Sequence, residues 1–282
     1  MKTILITGCS SGIGYATAKQ LQKQQWQVYA SCRQSKDVER LRQEGFQCLQ
    51  LDITDDKQIN LAFAQIIKEQ GRLDALFCNA GYGQTGAVED IPRQALKEQF
   101  ETNVFGTWQC INAAMRIFRQ QKQGRILVNS SILGFAAMPW RSPYNSSKAA
   151  LESLCDTLRL ETFGSGIYIS LLEPGPITSH FRQNALIKFK QYIDIDASIH
   201  KQAYQAQLNR LQRKEQVAPF TLSAEQCAEV CIRALTSHQP KARYRVTIPT
   251  HIFWYLKKWL PTIWLDWILR HSIKVQDKNN LS

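Results

Sequence analysis

The stretch that decides the fold is Thr3-Ile4-Leu5-Ile6-Thr7-Gly8-Cys9-Ser10-Ser11-Gly12-Ile13-Gly14, near the amino terminus. Residues 3–7 are apolar and β-prone, a glycine-rich turn follows, and residues 15–24 have a helical pattern. Glycines let a backbone approach a ligand closely, and the start of a helix presents free N–H groups to an anion. The spacing G-x-x-x-G-x-G is neither G-x-G-x-x-G nor a P-loop. The stretch therefore predicts a nucleotide-binding strand, turn and helix.

Strands and helices alternate along the rest of the chain. Short apolar runs predict strands at 27–32, 48–52, 73–78, 125–128 and 168–172, and amphipathic patterns predict helices at 59–69, 93–121 and around 144–158. A closing helix is predicted at 224–236 and a last strand at 245–249. Such alternation is typical of an α/β fold with a doubly wound parallel sheet, whose ligand lies across the carboxyl ends of the strands.

The chain divides into one large domain and a tail. Residues 1–250 form the predicted α/β domain, and within it residues 182–222 are polar and helix-prone. We interpret 182–222 as an insertion over the site, built from two mobile helices without a strand. Residues 251–282 form a separate aromatic and basic segment.

Composition sets limits on function. The 282 residues carry a net charge of +12, of which +9 falls in residues 182–282, and eight cysteines have no metal-ligand spacing. This favours a cytoplasmic protein with reduced thiols and no metal. No run of 18 apolar residues predicts a membrane span. Nucleic-acid binding is the weakest interpretation of the charge, because no recognition motif accompanies it.

Arg33 bears on the choice of cofactor. The predicted second strand ends in Ser31-Cys32-Arg33, and the next acidic residue is Asp37. An acid at this strand end would hold the 2′-hydroxyl of an adenosine ribose, whereas arginine accommodates a 2′-phosphate. The alternative is a solvated arginine at a strand end. The sequence favours NADP over NAD.

Tyr144 and Lys148 carry the chemistry. Residues four apart on a helix lie on one face, so the ammonium can favour the phenolate and lower the pKa of Tyr144. A phenol so placed can donate or accept a proton near neutral pH. Taken alone, the pair could equally be a surface contact without chemistry.

Together these motifs resemble those of the short-chain dehydrogenase/reductase family over about residues 2–250, and imply its single-domain Rossmann-type fold. The matching residues are Thr7, Gly8, Gly12, Ile13, Gly14, Asp52, Asn79, Ala80, Gly81, Asn103, Ser131, Tyr144, Lys148, Pro174 and Gly175. Within the family the chain looks most like steroid and retinol dehydrogenases, and most of all like bacterial NADP-dependent aldehyde reductases.

The resemblance implies a catalytic set of Asn103, Ser131, Tyr144 and Lys148. Tyr144 would exchange a proton with the substrate oxygen, and Lys148 would lower its pKa and bind the nicotinamide ribose. Ser131 would hold the substrate oxygen, and Asn103 would anchor a water linking Lys148 to solvent.

The resemblance also implies an NADP(H) site. Arg33 and Ser11 would take the 2′-phosphate, Asp52 the adenine amine, and Ser179, which replaces a common threonine, the carboxamide. The full predicted cofactor set is Gly8, Ser10, Ser11, Gly12, Ile13, Gly14, Arg33, Asp52, Ile53, Asn79, Ala80, Gly81, Tyr144, Lys148, Pro174, Gly175, Ile177 and Ser179.

The predicted function is NADP(H)-dependent reduction of an aldehyde or ketone, or the reverse, on a small apolar substrate. The apolar residues expected around the cleft are Leu133, Phe135, Met138, Trp140 and Phe181. One alternative is a non-catalytic dinucleotide-binding sensor or scaffold, although such relatives usually lose the tyrosine or lysine. Another is a nucleotide-sugar epimerase or dehydratase, but those enzymes carry G-x-x-G-x-x-G and a longer substrate domain. The resemblance further implies a homo-oligomer, dimer or tetramer.

The tail needs its own explanation. Residues 251–270 read HIFWYLKKWLPTIWLDWILR, with four tryptophans, and Pro261 divides them into two short helical pieces. Each piece is too short to span a bilayer, but tryptophan beside Lys257, Lys258 and Arg270 suits a membrane surface. The alternatives are a lid over the cleft, a dimer contact, or peripheral membrane contact.

Overall fold

A computed structural model describes residues 1–212 and 219–278. Its seven strands form one parallel sheet, which confirms the predicted fold class and its single-domain organisation. The strands are β1 Thr3–Ile6, β2 Gln27–Cys32, β3 Gln47–Gln50, β4 Ala75–Cys78, β5 Gly124–Asn129, β6 Ile167–Glu173 and β7 Arg243–Arg245.

Helices cover both faces of this sheet. They are α1 Gly12–Lys23, α2 Ser35–Gln43, α3 Asp56–Gln70, α4 Arg93–Phe100, α5 Thr107–Gln121, α6 Ser142–Glu161, α7 Phe181–Tyr192, α8 Lys201–Gln212, α9 Ala224–Thr236, α10 Ile248–Trp259 and α11 Thr262–Lys278. The cores lie on opposite faces because successive side chains of a strand alternate: Leu5 packs with α3, α5 and α6, and Ile4 and Ile6 pack with α1, α2 and α9.

The strand order is β3-β2-β1-β4-β5-β6-β7. The chain reverses its direction of travel across the sheet between β1 and β4, which opens a crevice at the carboxyl ends of these strands. The turns after β1, β4, β5 and β6 all reach this crevice, so segments distant in sequence converge there.

Two predicted elements need correction. The helix predicted at 93–121 is interrupted by a π-helical turn, Glu101–Gly106, between α4 and α5. The strand predicted at 245–249 is wrong: β7 is Arg243–Arg245, and α10 begins at Ile248 with a proline in its first turn. The boundary predicted at residue 250 therefore falls inside α10.

The predicted insertion contains α7 and α8, and residues 213–218 lie outside the described residues. The two helices form a small core with Ala87 of the loop after β4, and its other members are Ala185, Phe189, Ile193, Tyr204 and Leu211. One backbone bridge, Ile177 to Leu222, connects the end of this segment to the loop after β6. The insertion is therefore packed on the body beside the crevice.

Candidate active site

The glycine-rich turn builds one end of the cleft. Gly8 and Gly12 adopt left-handed backbone conformations, with φ of 73° and 63°, which glycine tolerates best. A Cβ on Gly8 would lie 2.7 Å from the Cα of Ala80, so the turn packs closely on the loop after β4. Ser11 precedes α1 without a side-chain cap hydrogen bond. The first N–H groups of α1 therefore have no side-chain cap and can bind an anion.

The Asn79 side chain holds the glycine-rich turn in place through hydrogen bonds to its backbone. Its Nδ2 donates to the carbonyl oxygens of Thr7 at 3.0 Å and Gly8 at 2.9 Å. Gly14 does not line the cleft. It faces Asn79 instead, since a Cβ on Gly14 would lie 2.4 Å from the Asn79 Nδ2. Gly14 thus allows α1 to approach Asn79, and its position does not support the predicted cofactor contact.

The adenosine end of the cleft is formed by the ends of β2 and β3. Arg33 follows β2, is exposed, and lines the cleft. Asp52 follows β3 and also lines the cleft, where its Oδ1 accepts from the N–H and Oγ1 of Thr54 at 3.0 and 2.8 Å. The nearest acid in sequence to Arg33, Asp37, lies 3.6 Å from Arg40. Among the described ion pairs Arg33 has none.

Tyr144 and Lys148 lie one turn apart on α6, with the Lys148 Nζ 5.5 Å from the centre of the Tyr144 ring. Lys148 also donates to the carbonyl oxygen of Asn129 at 2.6 Å. Burial lowers the pKa of Lys148 to about 8. Burial raises the pKa of Tyr144 to about 12, opposed by a hydrogen bond with Ser131 and by the charge of Arg141. The predicted lowering of the Tyr144 pKa by Lys148 is therefore not found here, since desolvation of the phenolate is the larger effect.

Ser131 follows β5 and lines the cleft together with Tyr144. Its Oγ accepts a hydrogen bond from the backbone N–H of Leu133 at 3.1 Å, which fixes the side chain. The Ser131 hydroxyl also lies close enough to the Tyr144 phenol to lower its pKa against the larger effect of burial, so two oxygen-bearing groups converge where a substrate oxygen could bind.

Asn103 is fully buried in the π-helical turn and does not line the cleft. Its Nδ2 donates to the carbonyl oxygen of Tyr82 at 3.1 Å and to Ser147 Oγ at 3.0 Å, and its Oδ1 accepts from the Tyr82 N–H at 3.2 Å. Asn103 thus connects the loop after β4 to α6. Its predicted role toward a water stays a prediction.

The remaining predicted residues lie where expected. Apart from Asn103 and Gly14, every member of the predicted set lines the cleft, including Ser10, Ile13, Ile53, Ala80, Gly81, Pro174, Gly175, Ile177 and Ser179. The loop after β6 meets the glycine turn, since a Cβ on Gly12 would lie 3.2 Å from the Ser179 Cβ. Positive groups, among them Arg33, Lys36 and Arg40, outnumber acids around the cleft, which suits a phosphorylated ligand.

The substrate end is apolar and includes the tail. Of the residues predicted there, Leu133, Met138 and Phe181 line the cleft, whereas Phe135 and Trp140 do not. Trp140 packs instead on the insertion, its ring 5.9 Å from that of Tyr204. The further lining residues Arg141, Pro249 and His271 were not singled out from the sequence, whereas Ile252, Phe253, Trp267 and Ile268 belong to the tail, for which a lid over the cleft was one alternative. A tryptophan-rich segment was the only signal for those in the tail.

Comparisons with known proteins agree with this geometry. A protein family model described as short chain dehydrogenase matches residues 2–188. The chain is 35% identical over 270 residues to the uncharacterized oxidoreductase YbbO of Escherichia coli K12, covering 95% of this chain and 94% of that protein. It is 33% identical to human 17-beta-hydroxysteroid dehydrogenase type 1, covering 86% and 77%.

Among solved structures, a short-chain dehydrogenase from Streptomyces avermitilis superposes with a TM-score of 0.75 at 23% identity, covering 100% of this chain and 97% of that one. This similarity concerns the fold. The matched length, the motifs and the shared architecture together establish that the chain belongs to the short-chain dehydrogenase/reductase family of oxidoreductases.

Proposed function

We propose that the protein is an NADP(H)-dependent carbonyl reductase, or alcohol dehydrogenase in reverse, acting on an apolar aldehyde or ketone. The observation that carries the proposal is the convergence of Ser131, Tyr144 and Lys148 in a cleft whose other end holds the glycine turn and Arg33. Relatives named 17-beta-hydroxysteroid dehydrogenase and retinol dehydrogenase support an apolar carbonyl or alcohol as substrate.

The cleft fits the proposed cofactor. The uncapped start of α1 and the absence of a side chain at Gly12 suit a pyrophosphate, and the guanidinium of Arg33 suits a 2′-phosphate. Bound NADPH supplies the hydride. Solved structures with similar folds were obtained with NADP in one case and NAD in another, so the preference for NADP rests here on Arg33.

The side chains of this protein supply the proton and hold the substrate oxygen. Ser131 Oγ donates a hydrogen bond to that oxygen, and Tyr144 Oη donates its proton to it as the carbonyl becomes an alcohol. The Tyr144 pKa of about 12 keeps the phenol protonated at neutral pH, which is the form that reduction requires. Lys148, with a pKa of about 8, remains mostly cationic at pH 7 and favours the phenolate that results.

A panel of aldehydes, ketones and alcohols assayed with both reduced and both oxidised nucleotides tests the proposal. We expect turnover of apolar carbonyls with NADPH. Tyr144→Phe keeps the ring and removes the proton donor, so turnover should fall by about two or more orders of magnitude while NADPH binding survives. A non-catalytic dinucleotide-binding protein would bind NADPH and turn over no member of the panel. Near-normal turnover by Tyr144→Phe would instead reject Tyr144 as the acid.

We also propose that α10 and α11 contact an anionic lipid surface. Trp259, Ile263 and Trp264 are 75%, 77% and 60% exposed, and Lys257 and Lys258 lie on the same pair of helices. Trp267 lies both on the exposed surface and on the rim of the cleft. Such an arrangement would present the substrate opening to lipid, where apolar substrates concentrate. In the part of the chain that the structure describes, no helix combines the length and the apolar character that a membrane span requires.

A further inference from the structure

Besides Lys148, the guanidinium of Arg141 lies at the substrate end of the cleft. Arg141 immediately precedes α6, three residues before Tyr144, and lines the cleft with Leu133, Met138 and Phe181. Its charge acts on the Tyr144 phenol, whose pKa it lowers against the larger effect of burial. The guanidinium therefore lies within electrostatic reach of the atom that exchanges a proton with the substrate.

This guanidinium has no anionic partner among the described residues. Its one described side-chain hydrogen bond goes to the thioether sulfur of Met138 at 3.8 Å, a weak acceptor. Two other cations that line the cleft are paired: Lys188 lies 2.8 Å from Glu98, and Arg40 lies 2.8 Å from Glu44.

The surroundings make an unpaired charge costly. Arg141 is half-buried, and this burial lowers the pKa of its guanidinium. A desolvated guanidinium is stabilised most by a carboxylate, which can accept two parallel hydrogen bonds from it. The amino-terminal end of α6 adds positive potential beside Arg141, since no side chain caps that end.

We propose that Arg141 binds a carboxylate of the substrate, so that the preferred substrates are oxo acids with an apolar chain. This inference rests on the proposed function and narrows its substrate class. Because Arg141 and Tyr144 are only one helical turn apart, the carboxylate and the reducible carbonyl are separated by few bonds. The hydrocarbon part of the substrate packs against Phe181, Ile252 and Phe253, which line the same cleft.

The test compares two substrates that differ only in charge, 4-oxononanoate and 4-oxononanamide, with NADPH as reductant. We expect the intact protein to have the higher kcat/KM for the acid, mainly through a lower KM. Arg141→Gln should reduce the acid-to-amide ratio of kcat/KM at least tenfold, and Arg141→Lys should restore part of it. Arg116→Gln, which removes an exposed guanidinium of α5 outside the cleft lining, is the matched control and should keep the wild-type ratio.

A binding measurement separates this inference from the proposed function. Octanoate and octanamide are titrated into the full chain, with tryptophan fluorescence as the readout because Trp267 lines the cleft. Tighter binding of octanoate that Arg141→Gln abolishes supports the inference even if no carbonyl is turned over. The inference is overturned if the intact protein binds octanoate and octanamide equally well. It is also overturned if Arg141→Gln and Arg141→Lys each weaken the binding of the two ligands to the same extent. Reduction of 4-oxononanamide but not of 4-oxononanoate would contradict the inference and leave the proposed function intact.

Discussion

Arg33 is the residue on which the choice between the two nicotinamide cofactors depends. It lines the adenosine end of the cleft without a described ion pair, and the nearby acids Asp37 and Asp52 bond to Arg40 and Thr54. We expect Arg33→Gln to lose a charge-assisted contact of about 1.5–3 kcal/mol with a 2′-phosphate. The KM for NADPH should then rise roughly tenfold or more, while the KM for NADH changes little.

Steady-state kinetics with each nucleotide provides the measurement. Arg93→Gln removes an exposed guanidinium on α4, outside the cleft, and serves as the control. If Arg33→Gln raised both Michaelis constants equally, the 2′-phosphate contact would have to be assigned elsewhere.

Lys148 gives a prediction about stability and pH. Its pKa of about 8 in the folded protein lies below its ordinary value, because the ammonium is buried. Burial of the ammonium therefore lowers the free energy of unfolding by its full amount below about pH 8. This destabilisation disappears as the pH rises toward the unfolded-state pKa near 10.4. Lys148→Met should abolish turnover but raise the free energy of unfolding at pH 7 by about 1–2 kcal/mol, after the lost Asn129 hydrogen bond is deducted.

Urea denaturation without nucleotide at pH 7 and at pH 10.5 checks this sign. The stabilisation by Lys148→Met should shrink or vanish at the higher pH, whereas Lys97→Met, at an exposed position of α4, should show no such pH dependence. A variant that is less stable than the wild type at both pH values would contradict the prediction.

At the level of single residues, most of the residues that sequence spacing identified do line the cleft, but the spacing did not show what surrounds them. The motif places Gly8 and Gly12 on the ligand side, and both line the cleft. Gly14 belongs to the same motif, yet it faces Asn79, because a helix turns its third residue away from the ligand. The sign of the Tyr144 pKa shift depends on burial, which a four-residue spacing does not encode.

At the level of elements, periodicity predicted the strands and most helices but not the interruption between α4 and α5. A continuous helix would leave the backbone of Tyr82 without the amide of Asn103, and the π-helical turn brings that amide inward. The apolar periodicity does not predict this π-helical turn, because the turn depends on the hydrogen bonds between Asn103 and the backbone of Tyr82, 21 positions earlier in the chain. The strand expected at 245–249 failed for a related reason, since Thr247 packs against Gly175 and bonds Thr250 at the start of α10.

The π-helical turn can be tested through Asn103. Asn103→Ala removes three hydrogen bonds and leaves the part-buried N–H of Tyr82 without that acceptor, whereas the Tyr82 carbonyl keeps the hydrogen bond from Gln99 at 2.8 Å. We expect a loss of about 2–4 kcal/mol in the free energy of unfolding, measured by urea denaturation. NADPH binding should weaken as well, since Gly81 lies against Asn103 at the edge of the cleft.

Asn60→Ala, on the exposed face of α3, is the matched control and should change stability by little. Full stability combined with lost turnover in Asn103→Ala would mean that the amide acts in the reaction and has no structural role.

At the scale of the whole molecule, the sheet order brings the segments that follow β1, β2, β3, β4, β5 and β6 to one cleft, and the tail joins them there. Phe253 of α10 packs against the cluster of Ile132, Leu133 and Ala136 beside Tyr144. Arg245 connects the tail to the sheet: it lies 3.0 Å from Glu173 and its guanidinium is 4.0 Å from the Trp254 ring. Both tail helices therefore contribute to the cleft, α10 through Phe253 and α11 through Trp267, whereas Trp259 and Trp264 remain exposed. The dimer or tetramer expected from the family resemblance stays a prediction.

The exposed part of the tail supports the last prediction. Lys257 and Lys258 lie outside the cleft lining and are exposed, so Lys257→Gln with Lys258→Gln removes two positive charges without touching the site. Each lysine near an anionic surface contributes about 1 kcal/mol, so partitioning to vesicles rich in phosphatidylserine should fall roughly thirtyfold. Replacing Trp259 and Trp264 by serine should weaken binding to anionic and neutral vesicles alike, because it removes apolar area.

Co-sedimentation with vesicles at low salt, using the full chain, provides the measurement. Phe163→Ser is the control, since Phe163 is 94% exposed but lies just beyond α6, outside the tail. If the intact protein stays in the supernatant with both vesicle types, the exposed tryptophans serve another purpose. A dimer in sedimentation analysis that the Trp259 and Trp264 substitutions convert to a monomer would then assign this surface to a second copy of the chain. Binding to anionic vesicles that both sets of substitutions reduce, with Phe163→Ser unchanged, would place the opening of the cleft at the lipid surface.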